Sequence, residues 1–189
     1  ISLLLSIKPF RQIVALEIQE RLAELARRNV RLNGLEDRIE VRHADLRTFQ
    51  PGRTFDVVFS NPPYIKFRDG HLSSSAEKSV AKHEVKCDIL DTMKKTAELL
   101  KKDGRAYFIF TARREDEFVR AGDASGLFLH RKRDVLPREG RPPNFFLSQC
   151  GFLQKATENL PPLVLFDAPG RYSQEAKEIF AGRVHGPFA

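Results

Sequence analysis

Cysteine is nearly absent from this chain: Cys87 and Cys150 are the two among 189 residues. Two thiols cannot build a disulfide framework, and they show no metal-ligand spacing, so both are read as packing residues, no metal is expected, and a reducing cytoplasm is the expected compartment. A membrane-spanning run is lacking too. The apolar opening "ISLLLSI" is too short to cross a bilayer, and it lacks the basic leader and small-residue cleavage site of a secretory signal, so no membrane association is expected. There is no internal repeat, no low-complexity tract and no sign of a second domain. An initiator Met is missing as well, and the chain opens inside an apolar segment, so further residues are expected upstream of Ile1.

What is present is the composition of a globular protein, 41% apolar and 30% charged, at a length that fits a single domain over residues 1–189. The formal net charge of +7 and pI near 9.6 match a polyanionic partner, because clustered Lys and Arg displace counterions from phosphates; solubility accounts for the same excess. Periodicity sets the architecture. "QIVALE" reads as a buried strand, and "RLAELARRNVRLNG" spaces Leu22, Leu25, Ala26, Val30 and Leu32 for a helix ended by Gly34. "RIEVRHADL" and "FDVVFSN" give two more strands. "ILDTMKKTAELLKKDG" gives a helix with Ile89, Met93, Ala97 and Leu100 on one face, stopped by Gly104, before the strand "RAYFIF". Strands alternating with helices predict a mostly parallel α/β sheet, with ligands beyond the carboxyl ends of its strands, where Glu17, Asp45 and Asn61 fall. After the helical "REDEFVRAG", the runs "LFLHRKRDVL" and "NFFLSQCG" predict an antiparallel edge pair joined by "PREGRPP". The tail holds one short strand, a "DAPG" turn and a short helix that Ser173 could cap.

Three strand ends carry candidate chemistry. Glu17 faces a helix start, where a carboxylate can accept both hydroxyls of a nucleotide ribose; it is as readily a solvated charge at a strand end. Asp45 could accept a hydrogen bond from the exocyclic amine of adenine or simply cap the turn that follows it. The stretch "SNPPY", Ser60 to Tyr64, is more specific. Pro62 and Pro63 donate no main-chain hydrogen bond and stiffen the backbone, so the Asn61 side-chain oxygen and the Pro62 carbonyl can point together as acceptors for an NH2 group. Tyr64 offers a face for a planar base, a contact worth roughly 1–3 kcal/mol. A proline turn with a packed Tyr is the plainer reading.

The segments "ALEIQERLAELARRNVRLNG", "HADL" and "FDVVFSNPPY" resemble the successive cofactor and substrate motifs of the class I S-adenosylmethionine-dependent methyltransferases that methylate amino groups. Within that branch, "AKHEVKCDILDTMKKTAELLKKDGRAYFIF", "LPREGRPPNFFL" and "LPPLVLFDAPGRYSQEAKEIF" are similar to the valine tRNA (adenine-N6)-methyltransferases. The resemblance implies a Rossmann-like fold and S-adenosylmethionine as cofactor, its ribose on Glu17, its adenine between Ile18 and Leu46 with Asp45 at the amine. Asn61, Pro62 and Tyr64 would be catalytic, with Asn61 also beside the cofactor. Pro63 would contact the substrate; apart from the resemblance, the Gly and Ser content of the segment after Tyr64 suggests a mobile lid with Lys66, Arg68, Lys82 and His83 available for phosphates of the substrate, a solvated loop being the plainer reading.

The family begins with a strand and a Gly-rich loop against the methionine part of the cofactor, which this sequence does not contain, so the domain is expected to lack its first central strand and the chain as written to bind the cofactor weakly or not at all. The expected function is methylation of the N6 amine of an adenine in tRNA by a monomeric enzyme. Two alternatives stay open: a glutamine-amide methyltransferase acting on a release factor, and an inactive RNA-binding remnant. Basic residues in "KFRDGHLSSSAEKSVAKHEVK", "RKR" and "PREGR" are candidates for gripping phosphates.

Overall fold

In the computed structural model, residues 10–62 and 87–183 are described, and their contacts divide the chain into two units meeting in sequence at Gly52 and Arg53. The first unit is a strand, helix and strand: β1 (Ile13–Glu17), α1 (Glu20–Leu32) and β2 (Ile39–His43), followed by a 3-10 turn at Leu46–Thr48. β1 and β2 are parallel, in register from Ile13 with Ile39 to Glu17 with His43. The helix ends as its sequence predicts. Gly34 sits at φ +61°, Gly34 N–H donates to the Arg31 carbonyl at 3.0 Å and Leu35 N–H to Val30 at 3.1 Å, a paired closure that a residue without a Cβ permits.

The buried face of α1 differs from the expected one. Ala23 and Val30 are buried, with Ala26 and Arg27 half-buried between them, whereas Leu22, Leu25 and Leu32 are 42%, 52% and 73% exposed. Each residue advances about 100° around a helix, so Leu25 lies about 200° from Ala23 and Leu32 as far from Val30, on the opposite side. Arg27 reinforces the inward face by donating from Nε to the Val41 carbonyl at 3.2 Å. β1 is half-buried along its whole length rather than fully buried.

The second unit is built on a five-stranded sheet. Its elements are β3 (Phe55–Ser60), α2 (Ile89–Leu99), β4 (Leu100–Thr111), α3 (Glu115–Asp123), β5 (Phe128–Leu136), β6 (Phe145–Gly151), β7 (Glu158–Val164), the small hairpin β8 (Phe166–Ala168) with β9 (Arg171–Tyr172), and α4 (Gln174–Phe180). The sheet order is β3-β4-β6-β5-β7. β3 with β4 and β5 with β7 are parallel, while β6 runs antiparallel to both β4 and β5. The expected antiparallel pair is therefore β5 with β6, and β7 adds a parallel strand outside it. Pro161 and Pro162 lie in β7 between the pairings of Arg133 with Leu160 and Val135 with Leu163, where the register shifts, and such an irregularity on an outer strand tolerates residues without an N–H.

Two boundaries move. Gly104 does not stop α2: the helix ends at Leu99, and the chain enters the β4 ladder at Leu100, paired with Phe55 before a register shift to Val57 with Arg105. The ladder with β3 takes over before the glycine is reached. At its start α2 is held by a reciprocal cap, Asp88 accepting from Asp91 N–H at 2.9 Å and Asp91 accepting from Asp88 N–H at 3.3 Å. In the tail, where one strand is expected, β7, β8 and β9 form. Ser173 caps α4 as expected, accepting from Ala176 N–H at 3.1 Å.

Aromatic packing fills the core between α2, α3 and the sheet. Phe118 of α3 meets Phe108, Phe110 and Phe146 with ring centroids 5.4, 5.6 and 5.1 Å away, and Ile89, Met93 and Leu127 close the cluster. Cys150 is buried in it, and desolvation pushes its thiol up to about 12. Cys87 is half-buried, its Sγ 3.5 Å from Thr92 Oγ1. Because the thiolate is the reactive form, iodoacetamide at mildly alkaline pH should modify Cys87 alone in the native protein and both residues after denaturation. Native labelling of Cys150, read by peptide mass, would refute this packing.

Candidate active site

Strand ends position the first group of residues. Glu17 is the last residue of β1, and the parallel pairing of Glu17 with His43 brings the exit of β1 beside the exit of β2. Ala44 N–H donates to the Glu17 carbonyl at 3.0 Å, and His43 Nε2 lies 2.9 Å from the Ile18 carbonyl. Glu17, Ile18, Asp45 and Leu46 therefore share one edge of this small sheet. The Glu17 carboxylate accepts from Gln19 N–H through Oε1 at 2.9 Å, which fixes its orientation and leaves Oε2 able to take another donor. Ile18 and Leu46 are half-buried apolar residues.

Asp45 does what its plainer reading supposes: it caps the 3-10 turn, accepting from Arg47 N–H at 2.9 Å. The Arg47 side chain engages the same carboxylate, with Nε 3.0 Å from both oxygens and Nη2 on Oδ2. That guanidinium holds the Asp45 carboxyl below its usual pKa, with burial opposing it only in part. A donor arriving at Asp45 must share the carboxylate with Arg47, a partner that the sequence spacing did not single out. An Asp two residues before an Arg at a strand exit is the signal that could have found it.

In the second unit the chain leaves β3 at Ser60, paired with Phe108 of β4, and goes directly to Asn61 and Pro62. Asn61 is exposed and Pro62 is buried. Both precede a proline, and that neighbour disfavours helical backbone, keeping the two residues extended. An amide oxygen and a carbonyl thus stand at the carboxyl end of a parallel strand as acceptors. Pro63, Tyr64, Lys66, Arg68, Lys82 and His83 lie outside the described residues.

The basic run "RKR" is already partnered within the fold. Arg131 Nε donates to Glu158 at 2.7 Å. Lys132 Nζ meets Glu115 at 2.7 Å and Asp134 at 3.3 Å; burial disfavours its charge, but Glu115 and then Asp134 outweigh that and raise its pKa. Arg133 is buried, bound to the Pro161 carbonyl at 2.8 Å and to Glu175 at 2.6 Å. These three charges hold β5 to its neighbours, so a phosphate reaching them would have to compete with Glu158, Glu115 and Glu175. Arg138 and Arg141 of "PREGR" are exposed, and no side-chain partner holds them among the described residues.

Comparison with known proteins agrees with this arrangement. Residues 5–122 match the family model of the RMKL-like methyltransferase domain. The tRNA1(Val) (adenine(37)-N6)-methyltransferase of Bacteroides thetaiotaomicron is 32% identical over 171 residues, covering 90% of this chain and 71% of that protein. The protein of the same name from Vibrio cholerae is 29% identical over 134 residues, and there the match covers 71% of this chain and 55% of the relative. Among solved structures, a predicted O-methyltransferase of Agrobacterium tumefaciens superposes with a TM-score of 0.64 at 18% identity, over 92% of this chain and 78% of its own. The ribosomal protein L11 methylase of Lactobacillus delbrueckii gives 0.52 at 17% identity, over 75% and 57%. The structural likenesses establish a methyltransferase fold of the Rossmann-like α/β type. With strand exits, fold and sequence in agreement, the chain belongs to the RMKL-like methyltransferase family, alongside the tRNA1(Val) (adenine(37)-N6)-methyltransferases.

Proposed function

We propose that this chain transfers a methyl group from S-adenosylmethionine to the exocyclic N6 amine of an adenine in tRNA, acting as a monomer in the cytoplasm. The observation that carries the reading is the exit of β3, where Asn61 and Pro62 follow the last strand residue as adjacent acceptors in a chain whose relatives are named for that reaction. No helix among the described residues is long and apolar enough to cross a membrane.

The residues at the β1 and β2 exits fit the cofactor in part. Glu17 has an oxygen to offer a ribose hydroxyl, Ile18 and Leu46 offer apolar flanks for an adenine ring, and Asp45 can take the adenine amine by sharing its carboxylate with Arg47. When bound, S-adenosylmethionine supplies an electrophilic methyl group on a sulfonium. The chain's own contribution lies in positioning. An aromatic amine is a poor nucleophile because its lone pair is delocalised into the ring. The Asn61 oxygen and the Pro62 carbonyl accept the two N–H groups, hold the nitrogen in place and stabilise the positive charge that grows on it. No strong base is needed, since the amine becomes acidic only as it is alkylated and then loses its proton to solvent.

The test is direct. The protein is incubated with S-adenosylmethionine and either tRNA or a release factor, and each product is digested and mass-analysed. N6-methyladenosine in the RNA is the expected result. Methylglutamine in the protein would overturn the reading.

A further inference from the structure

A second feature stands on the same sheet edge as Asn61. The loop between β5 and β6 turns tightly at Arg138–Arg141: Arg141 N–H donates to the Arg138 carbonyl at 3.2 Å, and Gly140 sits at φ +70°. A turn of this kind brings its first and fourth Cα atoms within about 7 Å, so two guanidinium-bearing residues flank one point. Pro137 stands before the turn and Pro142 after it, which stiffens the loop. Neither Arg138 nor Arg141 is in an ion pair among the described residues, and Glu139 between them bridges to neither, whereas Arg131, Lys132 and Arg133 a few residues upstream are all partnered.

Beside these arginines is an open cavity of about 470 Å³, lined by Pro137, Arg138, Arg141, Pro142, Asn144 and Phe166. Phe166 is brought there by the tail, its N–H donating to the Pro137 carbonyl at 3.1 Å. The ring is half-buried and stacks on Tyr172 at 4.8 Å, which in turn meets Phe180 edge-on at 5.0 Å. The pairing of Thr111 with Phe145, and the bond from Ala112 N–H to the Asn144 carbonyl at 3.0 Å, place the loop at the carboxyl end of β4. β3 ends at that same edge, with Asn61 directly after it. Two or three strand spacings separate them, so the cavity lies on the order of 10–20 Å from Asn61.

The geometry points to a nucleotide-binding subsite: the cavity takes a nucleotide neighbouring the target adenine, its phosphate between Arg138 and Arg141 and its base against Phe166. This deepens the RNA-methylation reading and rests on it. Paired guanidinium groups suit phosphate oxygens, and an apolar wall with an aromatic ring suits a base face of any sequence. The hollow is open to solvent and wider than a bare phosphate ion, which leaves room for a base beside the arginines. An adenine presented to Asn61 must also be turned out of its stack, which leaves its neighbours in need of support.

Fluorescence anisotropy of labelled tRNA on the full chain, followed through a sodium chloride series, tests the subsite. The double variant Arg138→Gln and Arg141→Gln should bind more weakly and flatten the slope of log K against log salt by about 1.4, the value for two phosphate contacts on a single strand. Phe166→Ala should weaken binding about fivefold to a hundredfold with the slope unchanged. Lys102→Gln with Lys155→Gln removes the same charge at the other edge of the sheet and should leave the slope intact; both are exposed. Circular dichroism melting confirms that the variants are folded. If the wild-type chain binds tRNA and the arginine variant keeps the full slope, the subsite is wrong while RNA remains the substrate. If the wild-type chain does not bind tRNA, or an Asp/Glu-rich peptide displaces tRNA equally well, the RNA reading falls and takes the subsite with it.

Discussion

In an active form of the protein that carries the cofactor loop, replacing Asn61 by Ala is expected to slow methyl transfer by at least about a hundredfold, as loss of one oriented group facing a developing charge does, on the order of 3 kcal/mol. The side chain stands exposed immediately beyond the last residue of β3, so its removal leaves no cavity and should not unfold the sheet. The effect belongs in the rate under saturating cofactor and RNA, because the acceptor matters most as the amine gains positive charge. Calorimetry should find cofactor affinity unchanged. Glu17→Ala should do the reverse, weakening the cofactor about tenfold or more through a lost hydrogen bond to a charged acceptor, with little change in the saturated rate. Unchanged single-turnover rates for Asn61→Ala would remove the β3 exit from the chemistry.

Phe118→Ala should cost about 3–5 kcal/mol of stability, a large part of the roughly 5–15 kcal/mol that a domain possesses. Phe118 is 1% exposed and is the shared partner of Phe108, Phe110 and Phe146, so truncation removes three ring contacts at once and leaves a void between α3 and β4. A domain of this size loses about 2–4 °C of melting temperature per kcal/mol, so a fall of about 10 °C is expected by circular dichroism. Leu153→Ala, at a residue 68% exposed, should shift stability by no more than about 0.5 kcal/mol. Equal melting temperatures for the two variants would show that the aromatic cluster is not the core of this unit.

The elements whose signals are local are legible in the amino-acid sequence alone. The end of α1 at Gly34, the cap of α4 at Ser173 and the arrival of Asn61 directly after a strand each depend on residues within a few positions of one another. Backbone sterics, a short-range hydrogen bond and a proline's missing N–H act at that range, so the chain's order of letters is enough. The end of α2 departs from its local signal for the converse reason: Gly104 is a stop for a helix, but pairing of Leu100 with Phe55, far back in the sequence, claims the chain first.

Long-range pairing also separates basic residues that look alike in the sequence. Arg131, Lys132 and Arg133 find Glu158, Glu115 and Glu175 at separations of 27, 17 and 42 residues, whereas Arg138 and Arg141 find no such acid among the described residues. Which charge is consumed in holding strands together follows from the order β3-β4-β6-β5-β7, and no spacing along the chain encodes it. The same holds for Phe166, which meets Pro137 only because the tail returns alongside the end of β5. Periodicity can say that residues are apolar or basic; a carboxylate or a ring brought from elsewhere decides whether they remain open to a ligand, since ion pairs and stacking act through distances of a few ångströms in space whatever the distance along the chain.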